Sequence, residues 1–158
     1  YINLYDTWSS YKPETEGVFV AYTSVYGNTK KAVEKFAEIL KEKGCPKVAV
    51  ADLAREDMAE CVEDAFRYGK LILATTTYTN DIFPFMKEFI HHLTDRNYQN
   101  RKIGLIENGT WNPLAAKVMT KMFENSKNIT FCPTVVTIKT AMNDETVNEL
   151  EKLAEEIL

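Results

Sequence analysis

Short apolar runs alternate with amphipathic stretches along most of this chain. The apolar runs last four to six positions and are rich in β-branched and aromatic residues, which is typical of strands. The stretches between them repeat apolar residues every three or four positions, as in helices that cover a core with one face. The predicted strands are 17–22, 47–52, 71–74, 102–106 and 134–138, and the predicted helices are 29–43, 57–68, 83–93, 113–123 and 144–158.

This alternation predicts one α/β domain. Five strands alternating with five helices imply βαβ units, parallel pairing and a three-layer α/β sandwich. Gly44 is placed to end the first helix, and Pro113 suits the first turn of the fourth. Residues 1–16 follow neither period, so we expect a linker-like N-terminal segment there and the domain in residues 17–158.

The junction between the first strand and the first helix contains Ser24, Gly27, Asn28 and Thr29. The first N–H groups of a helix lack partners within it, and the peptide dipoles place partial positive charge at the same end. A phosphate is stabilised there without Lys or Arg, and glycine permits close approach of the backbone. The junction therefore predicts a phosphate-binding loop. The alternative is that Asn28 or Thr29 only caps the helix.

One end of the predicted sheet is much richer in polar and aromatic residues than the other. Residues 23–29, 75–81 and 107–111 follow the first, third and fourth strands, whereas the opposite loops, 44–46 and 68–70, are short and plain. Ligands of parallel α/β sheets bind beyond the carboxyl ends of the strands, where the strand order reverses. We therefore expect the binding site at this end.

Each of these three loops carries one large aromatic residue, namely Tyr26, Tyr78 and Trp111. Three such side chains suit a flat ring, since each aromatic pair contributes about 0.5–1.5 kcal/mol beyond area burial. The alternative is that Tyr78 and Trp111 merely cover the sheet edge. Together with the phosphate loop, the pattern favours a ligand that joins a phosphate to a planar ring, and FMN fits this description.

Composition narrows the choice of partners and compartment. The net charge of −4 argues against nucleic acid and is compatible with docking on a basic protein. No apolar run approaches the roughly 20 residues of a membrane span. Three widely spaced cysteines without metal spacing indicate reduced thiols, so we expect a cytoplasmic protein. Because the chain starts with Tyr1 rather than Met, we expect a fragment of a longer polypeptide.

Several segments resemble a known family. Residues 24–29 (S-V-Y-G-N-T) resemble the S/T-x-x-G-x-T phosphate loop of flavodoxins. Residues 77–84 resemble the T-Y-N-x-x-I-F-P stretch in the C-terminal flavodoxin domain of flavodiiron proteins, also called A-type flavoproteins. Residues 107–116 resemble the G-x-Y-G-W-x-x-x-A loop of the same proteins, and residues 5–9 resemble the Y-x-x-W-S linker that joins their metal and flavin domains.

The resemblance implies a flavodoxin-like sandwich with a five-stranded parallel sheet of order 2-1-3-4-5 and FMN as the cofactor. It also implies roles for three groups of residues. The phosphate would be held by Ser24, Val25, Tyr26, Gly27, Asn28 and Thr29; one side of the ring would be lined by Thr76, Thr77, Tyr78, Thr79 and Asn80, and the other by Asn108, Gly109, Thr110 and Trp111. The sequence departs from the family at Glu107-Asn108, where relatives carry small residues. A carboxylate at that place would lie near the flavin.

The function implied by the resemblance is electron transfer. FMN would take electrons from a reductase or rubredoxin-like donor and relay them to a diiron domain that reduces O2 or NO, in a larger protein that forms homo-oligomers. No catalytic residue or metal ligand is nominated, since His91 and His92 are the only histidines and point about 100° apart on a helix.

Three other functions are weighed against this one. A stand-alone FMN-dependent NAD(P)H reductase and a free flavodoxin remain alternatives. A response-regulator receiver is disfavoured, because Thr23-Ser24 and Thr75-Thr76 occupy the places where its acidic residues belong.

Overall fold

The structure is a computed structural model that describes residues 15–23, 28–78, 81–82, 84–108, 115–138 and 144–158. Within this part of the chain, five parallel strands form a central sheet. They are β1 (Thr15–Tyr22), β2 (Val48–Asp52), β3 (Tyr68–Tyr78), β5 (Arg101–Asn108) and β6 (Ile129–Ile138). A further strand of two residues, β4 (Asp81–Ile82), pairs antiparallel with the end of β3.

Helices cover both faces of this sheet. Over the described residues they are α1 (Asn28–Glu42), α2 (Met58–Arg67), α3 (Pro84–Asp95), α4 (Ala115–Met122) and α5 (Asp144–Ile157). α1 ends as predicted at Gly44, which has φ +89, and the N–H groups of Gly44 and Cys45 donate to carbonyls of its last turn. The side chain of Asp57 caps α2 by accepting from Ala59 N at 2.9 Å.

The strand order is β2-β1-β3-β5-β6, which is 2-1-3-4-5 when only the parallel strands are counted. The predicted fold class is therefore confirmed. The chain moves outward from β1 to β2 and then returns to β3 on the other side of β1. The order thus reverses between β1 and β3, whose register pairs Tyr22 with Ala74 at the carboxyl end.

Two hydrophobic clusters fill the layers between sheet and helices. On one face, alternate sheet residues such as Phe19 and Leu73 pack with α2, α3 and α4. On the other face, their neighbours, such as Val20 and Ile72, pack with α1 and α5. Because strands bury both faces, they have the continuous apolar sequence expected of a parallel sheet.

Several strands are longer than the apolar pattern predicts. β3 continues through Thr75–Tyr78, which was wrongly predicted as a loop. The β-branched threonines there suit a strand, and they pair with β5 on one side and with β4 on the other. β6 begins at Ile129 and includes Pro133, where the register with β5 shifts. Pro133 lacks an N–H and is tolerated because β6 is an edge strand of the described sheet. β1 also begins earlier than predicted, at Thr15.

Candidate functional site

The carboxyl ends of β1 and β3 are joined by side chains at the point where the strand order reverses. The backbone N–H of Thr23 donates to Ala74 O at 3.0 Å. The hydroxyl oxygens of Thr23 and Thr75 lie 2.5 Å apart and share a hydrogen bond, and both side chains are buried. These buried hydroxyls make the carboxyl edge of β1 and β3 polar, whereas the layers on either face of the sheet are apolar.

The amino end of α1 lies over this same edge. The helix begins at Asn28, and its first turn contains no acidic residue. Thr29, in that turn, is only 1% exposed and its hydroxyl oxygen accepts from Asn108 Nδ2 at 3.3 Å. The positive end of the helix dipole is therefore presented without a carboxylate from α1's own first turn, which suits an anion.

The last two residues of β5 point to opposite faces of the sheet. Asn108 reaches α1 on one face. Glu107, which is 7% exposed, reaches α4 and β6 on the other. Its carboxylate accepts from Ala116 N at 3.2 Å and from the hydroxyl of Thr137 at 3.0 Å. Glu107, where the sequence differs from the resembling family, thus stabilises the start of α4, because its negative charge lies at the first turn, where the helix dipole favours it.

Burial also sets the electrostatics at the end of β1. Tyr22 is 6% exposed and pairs in register with Asp52 at the end of β2. Loss of solvation raises the pKa of the Tyr22 hydroxyl, and the negative charge of Asp52 raises it further. Tyr22 therefore stays neutral at physiological pH and adds no charge to the carboxyl edge of the sheet.

Only part of the predicted site lies within the described residues. Thr29, Thr76 and Asn108 are described with their side chains, and Thr76 pairs in register with Asn108 across β3 and β5. For three residues the backbone alone is described: Asn28 in α1, and Thr77 and Tyr78 in β3. Outside the described residues lie Ser24, Val25, Tyr26, Gly27, Thr79, Asn80, Gly109, Thr110 and Trp111.

What the structure does show is that β1, β3 and β5 end side by side, although residues 75–78 and 107–108, predicted as loop, belong to the strands. Residues 24–27 follow the end of β1, residues 79–80 follow β3, and residues 109–114 follow β5, and these three strands are neighbours in the sheet. The assignment of individual residues in these loops to a ligand remains a prediction.

Sequence reasoning placed Thr23, Thr75 and Glu107 at this edge but did not predict the contacts through which they build it. Their role depends on the register between strands, which places Thr23 beside Thr75 although 52 positions separate them. The available signal was weak: all three are polar residues directly after an apolar run. That pattern shows where a strand ends but not which side chains meet there.

The opposite edge of the sheet holds a cavity of about 890 Å³ whose lining includes Lys43, Lys70 and Lys102. These cations already have partners at the end of α5. Lys70 donates to Leu158 O at 3.1 Å, Lys102 donates to Glu156 O, and Lys43 pairs with Glu155 at 3.3 Å. Positive charge at the carboxyl end of a helix is stabilising, so these lysines cap a helix rather than form a ligand site.

Two absences hold for the described part of the chain. No group of three or more His, Cys, Asp or Glu residues there is arranged to hold a metal ion. Nor is any helix among those residues long and apolar enough to cross a membrane. His91 is exposed and His92 half-buried, with His92 Nε2 3.7 Å from Glu88 Oε1.

Comparison with known proteins agrees with this architecture. A family model described as a flavodoxin domain matches residues 19–152. The anaerobic nitric oxide reductase flavorubredoxin of Pectobacterium atrosepticum is 26% identical over 127 residues, which cover 78% of this chain and 24% of that protein.

Two solved structures share the fold. The rubredoxin oxygen:oxidoreductase of Desulfovibrio gigas aligns with a TM-score of 0.90 at 20% identity, over 99% of this chain and 38% of that chain. A flavo di-iron protein mutant from Thermotoga maritima aligns with a TM-score of 0.80 at 24% identity, with the same coverage of 99% and 38%. The chain thus spans about a quarter of the flavorubredoxin and under two fifths of the solved chains.

The matched family and the geometry at the carboxyl ends of β1 and β3 indicate the same cofactor. Flavodoxins bind FMN where the strand order reverses, beyond β1 and β3. Here that point has buried hydroxyls and a helix whose first turn lacks a carboxylate, both suited to the phosphate of FMN. This chain belongs to the flavodoxin domain family, and its cofactor is FMN.

Proposed function

We propose that this domain is the electron-transfer module of a larger protein of the flavodiiron type. FMN supplies the redox chemistry, and the protein contributes binding, orientation and electrostatics. The phosphate would lie against α1, held by Ser24–Thr29, and the ring between Thr76–Asn80 and Asn108–Trp111. Electrons would come from a rubredoxin-like or reductase donor and pass to a diiron domain that reduces O2 or NO.

The observation that carries this proposal is the convergence of β1, β3 and β5 on the amino end of α1. The hydrogen bond from Asn108 to Thr29 joins the end of β5 to the first turn of that helix. A ligand whose phosphate and ring occupy adjacent strand ends would span this geometry. The names of the relatives, which include a nitric oxide reductase and an oxygen oxidoreductase, support the further step to O2 or NO.

The first test is a titration of the apoprotein with FMN and, separately, with riboflavin, which lacks the phosphate. Quenching of flavin fluorescence reports binding. We expect FMN to bind at least about 100-fold more tightly, because two charge-assisted hydrogen bonds to a phosphate contribute roughly 3 kcal/mol or more. Equal affinities for the two flavins would remove the phosphate site from the proposal.

The second test separates relay from catalysis. The FMN-loaded domain is mixed with NADH or NADPH in the absence of other proteins, and nicotinamide oxidation is followed by absorbance. A relay domain oxidises neither at a useful rate but exchanges electrons with reduced rubredoxin. Steady oxidation of NADH or NADPH without a partner would instead favour the stand-alone reductase.

A further inference from the structure

The hydroxyl of Thr29 has an unusual set of neighbours for a buried threonine in a helix. It is 1% exposed, and among the described contacts its oxygen accepts a hydrogen bond from Asn108 Nδ2 at 3.3 Å. A hydroxyl can accept and also donate one hydrogen bond. Threonines within helices often donate to the carbonyl four residues earlier. α1 is described from Asn28 onward, and the residue four positions before Thr29 lies outside the described residues.

The donor, Asn108, is fixed by the sheet. It is the last residue of β5 and pairs in register with Thr76 on one side and Ile138 on the other. Its amide projects toward the face that carries α1, whereas the neighbouring Glu107 projects toward α4. The strand thus holds the amide against the first turn of the helix that faces the phosphate.

We infer that Asn108 is a positioning residue that sets the preference of this domain for a phosphorylated flavin. By donating to the Thr29 oxygen, its amide occupies a lone pair of the hydroxyl and turns the hydroxyl hydrogen away from β5. That hydrogen is then oriented in advance as a donor to an anion at the amino end of α1. Asn108 acts through Thr29, and the inference rests on the proposed FMN site.

The test measures the discrimination ratio, defined as the dissociation constant of riboflavin divided by that of FMN. Asn108→Ala should lower this ratio by about twofold to tenfold, the range produced by loss of one hydrogen bond. Asn108→Asp should lower it further, because a carboxylate can only accept and therefore draws the Thr29 hydrogen toward itself. Its charge also repels the phosphate, so this larger loss should grow as the salt concentration falls.

Matched variants separate this role from a structural one. Asn148 is exposed on α5, so Asn148→Ala and Asn148→Asp repeat the same chemical changes away from the crevice. Both should keep the wild-type ratio. Thr29→Ser retains the hydroxyl and should also keep it, whereas Thr29→Val should lose it. In the Thr29→Val background, Asn108→Ala should cause no further loss, since the hydroxyl it orients is gone.

Each of the following results would overturn the inference. One is that Asn108→Ala weakens FMN and riboflavin equally, as a general loss of packing would. Another is that Asn108→Asp keeps the wild-type ratio. The third is full additivity of Thr29→Val and Asn108→Ala. Where Asn108→Ala alone is poorly folded, the two Thr29 variants decide instead. Equal ratios for Thr29→Ser and Thr29→Val then refute the mechanism. Failure of the wild type to prefer FMN would refute the site itself.

Discussion

The carboxylate of Glu107 should contribute measurably to stability through the two elements that it joins. It accepts from Ala116 N at the start of α4 and from the Thr137 hydroxyl in β6. A hydrogen bond to a charged group contributes roughly 1.5–3 kcal/mol. Thr137 is half-buried, so we take the lower end for that bond. Thr137→Val keeps the shape of the side chain and should destabilise the domain by about 1.5 kcal/mol.

Glu107→Ala removes more. It deletes both hydrogen bonds, and it also removes a negative charge from the first turn of α4, which is worth about 0.3–1 kcal/mol. We expect a loss of roughly 3–5 kcal/mol in the free energy of unfolding. For a domain of this size each kcal/mol lowers the melting temperature by about 2–4 °C. The Thr137→Val variant should therefore melt about 3–6 °C lower than the wild type.

The assay is urea unfolding of the apoprotein followed by circular dichroism, with both single variants and the double variant. If Thr137 acts through the carboxylate, Thr137→Val should have almost no effect once Glu107 is alanine, giving a coupling energy of about 1.5 kcal/mol. Thr130→Val, at an exposed position near the start of the same strand, is the control for the change in residue type. A coupling energy within the usual additivity error of about 0.3–0.5 kcal/mol would refute the reasoning.

Three further predictions concern the cysteines and Arg101. Cys45 is half-buried and should react first with a thiol reagent, ahead of the buried Cys61 and Cys132. Burial, with nearby acidic residues, raises the pKa of the Cys61 thiol from 9.0 to about 11, so the folded state favours the protonated form. The resulting stability, up to about 3 kcal/mol, is present below pH 9 and is lost as the pH rises to 11. Urea titrations of Cys61→Ala should lack that pH-dependent loss. Arg101 is 3% exposed and donates to carbonyls at the end of α2 at 2.9 and 3.0 Å. Arg101→Lys should lower the unfolding free energy, measured by calorimetry, by about 2–4 kcal/mol, because one ammonium nitrogen cannot occupy the positions of two guanidinium nitrogens. An unchanged melting temperature would contradict this.

The layer structure of this domain was predictable because strands and helices differ in the period of their apolar residues. The five parallel strands, the five helices and the end of α1 at Gly44 all follow from local sequence. The continuation of β3 through Thr75–Tyr78 did not, since threonine is both polar, as in loops, and β-branched, as in strands. Its partners in β4 and β5 decide between the two, and they lie outside any local window.

The adjacency of the three strand ends was predictable, but the side-chain contacts between them were not. Parallel topology puts the ends of β1, β3 and β5 at one edge, which the polar loops already indicated. The pairing of Thr23 with Thr75 and the capping of α4 by Glu107 require the register of strands far apart in sequence. The carboxylate of Glu107, which we expected near the flavin, is instead directed at α4 and β6. This direction, too, depends on the strand register.

The residues at the amino ends of the described helices indicate why we expect α1, rather than another helix, to receive the phosphate. α2 and α5 carry acidic residues in their own first turns, and α4 receives the carboxylate of Glu107. α3 has no acidic residue in its first turn either, and it begins with Pro84, so one N–H is missing at its amino end. α1 has neither an acidic first turn nor a proline at its start. Of these two helices, α1 is the one whose first turn contacts the carboxyl end of the sheet, through the hydrogen bond from Asn108 to Thr29. Its positive end is therefore the one we expect to receive an external phosphate.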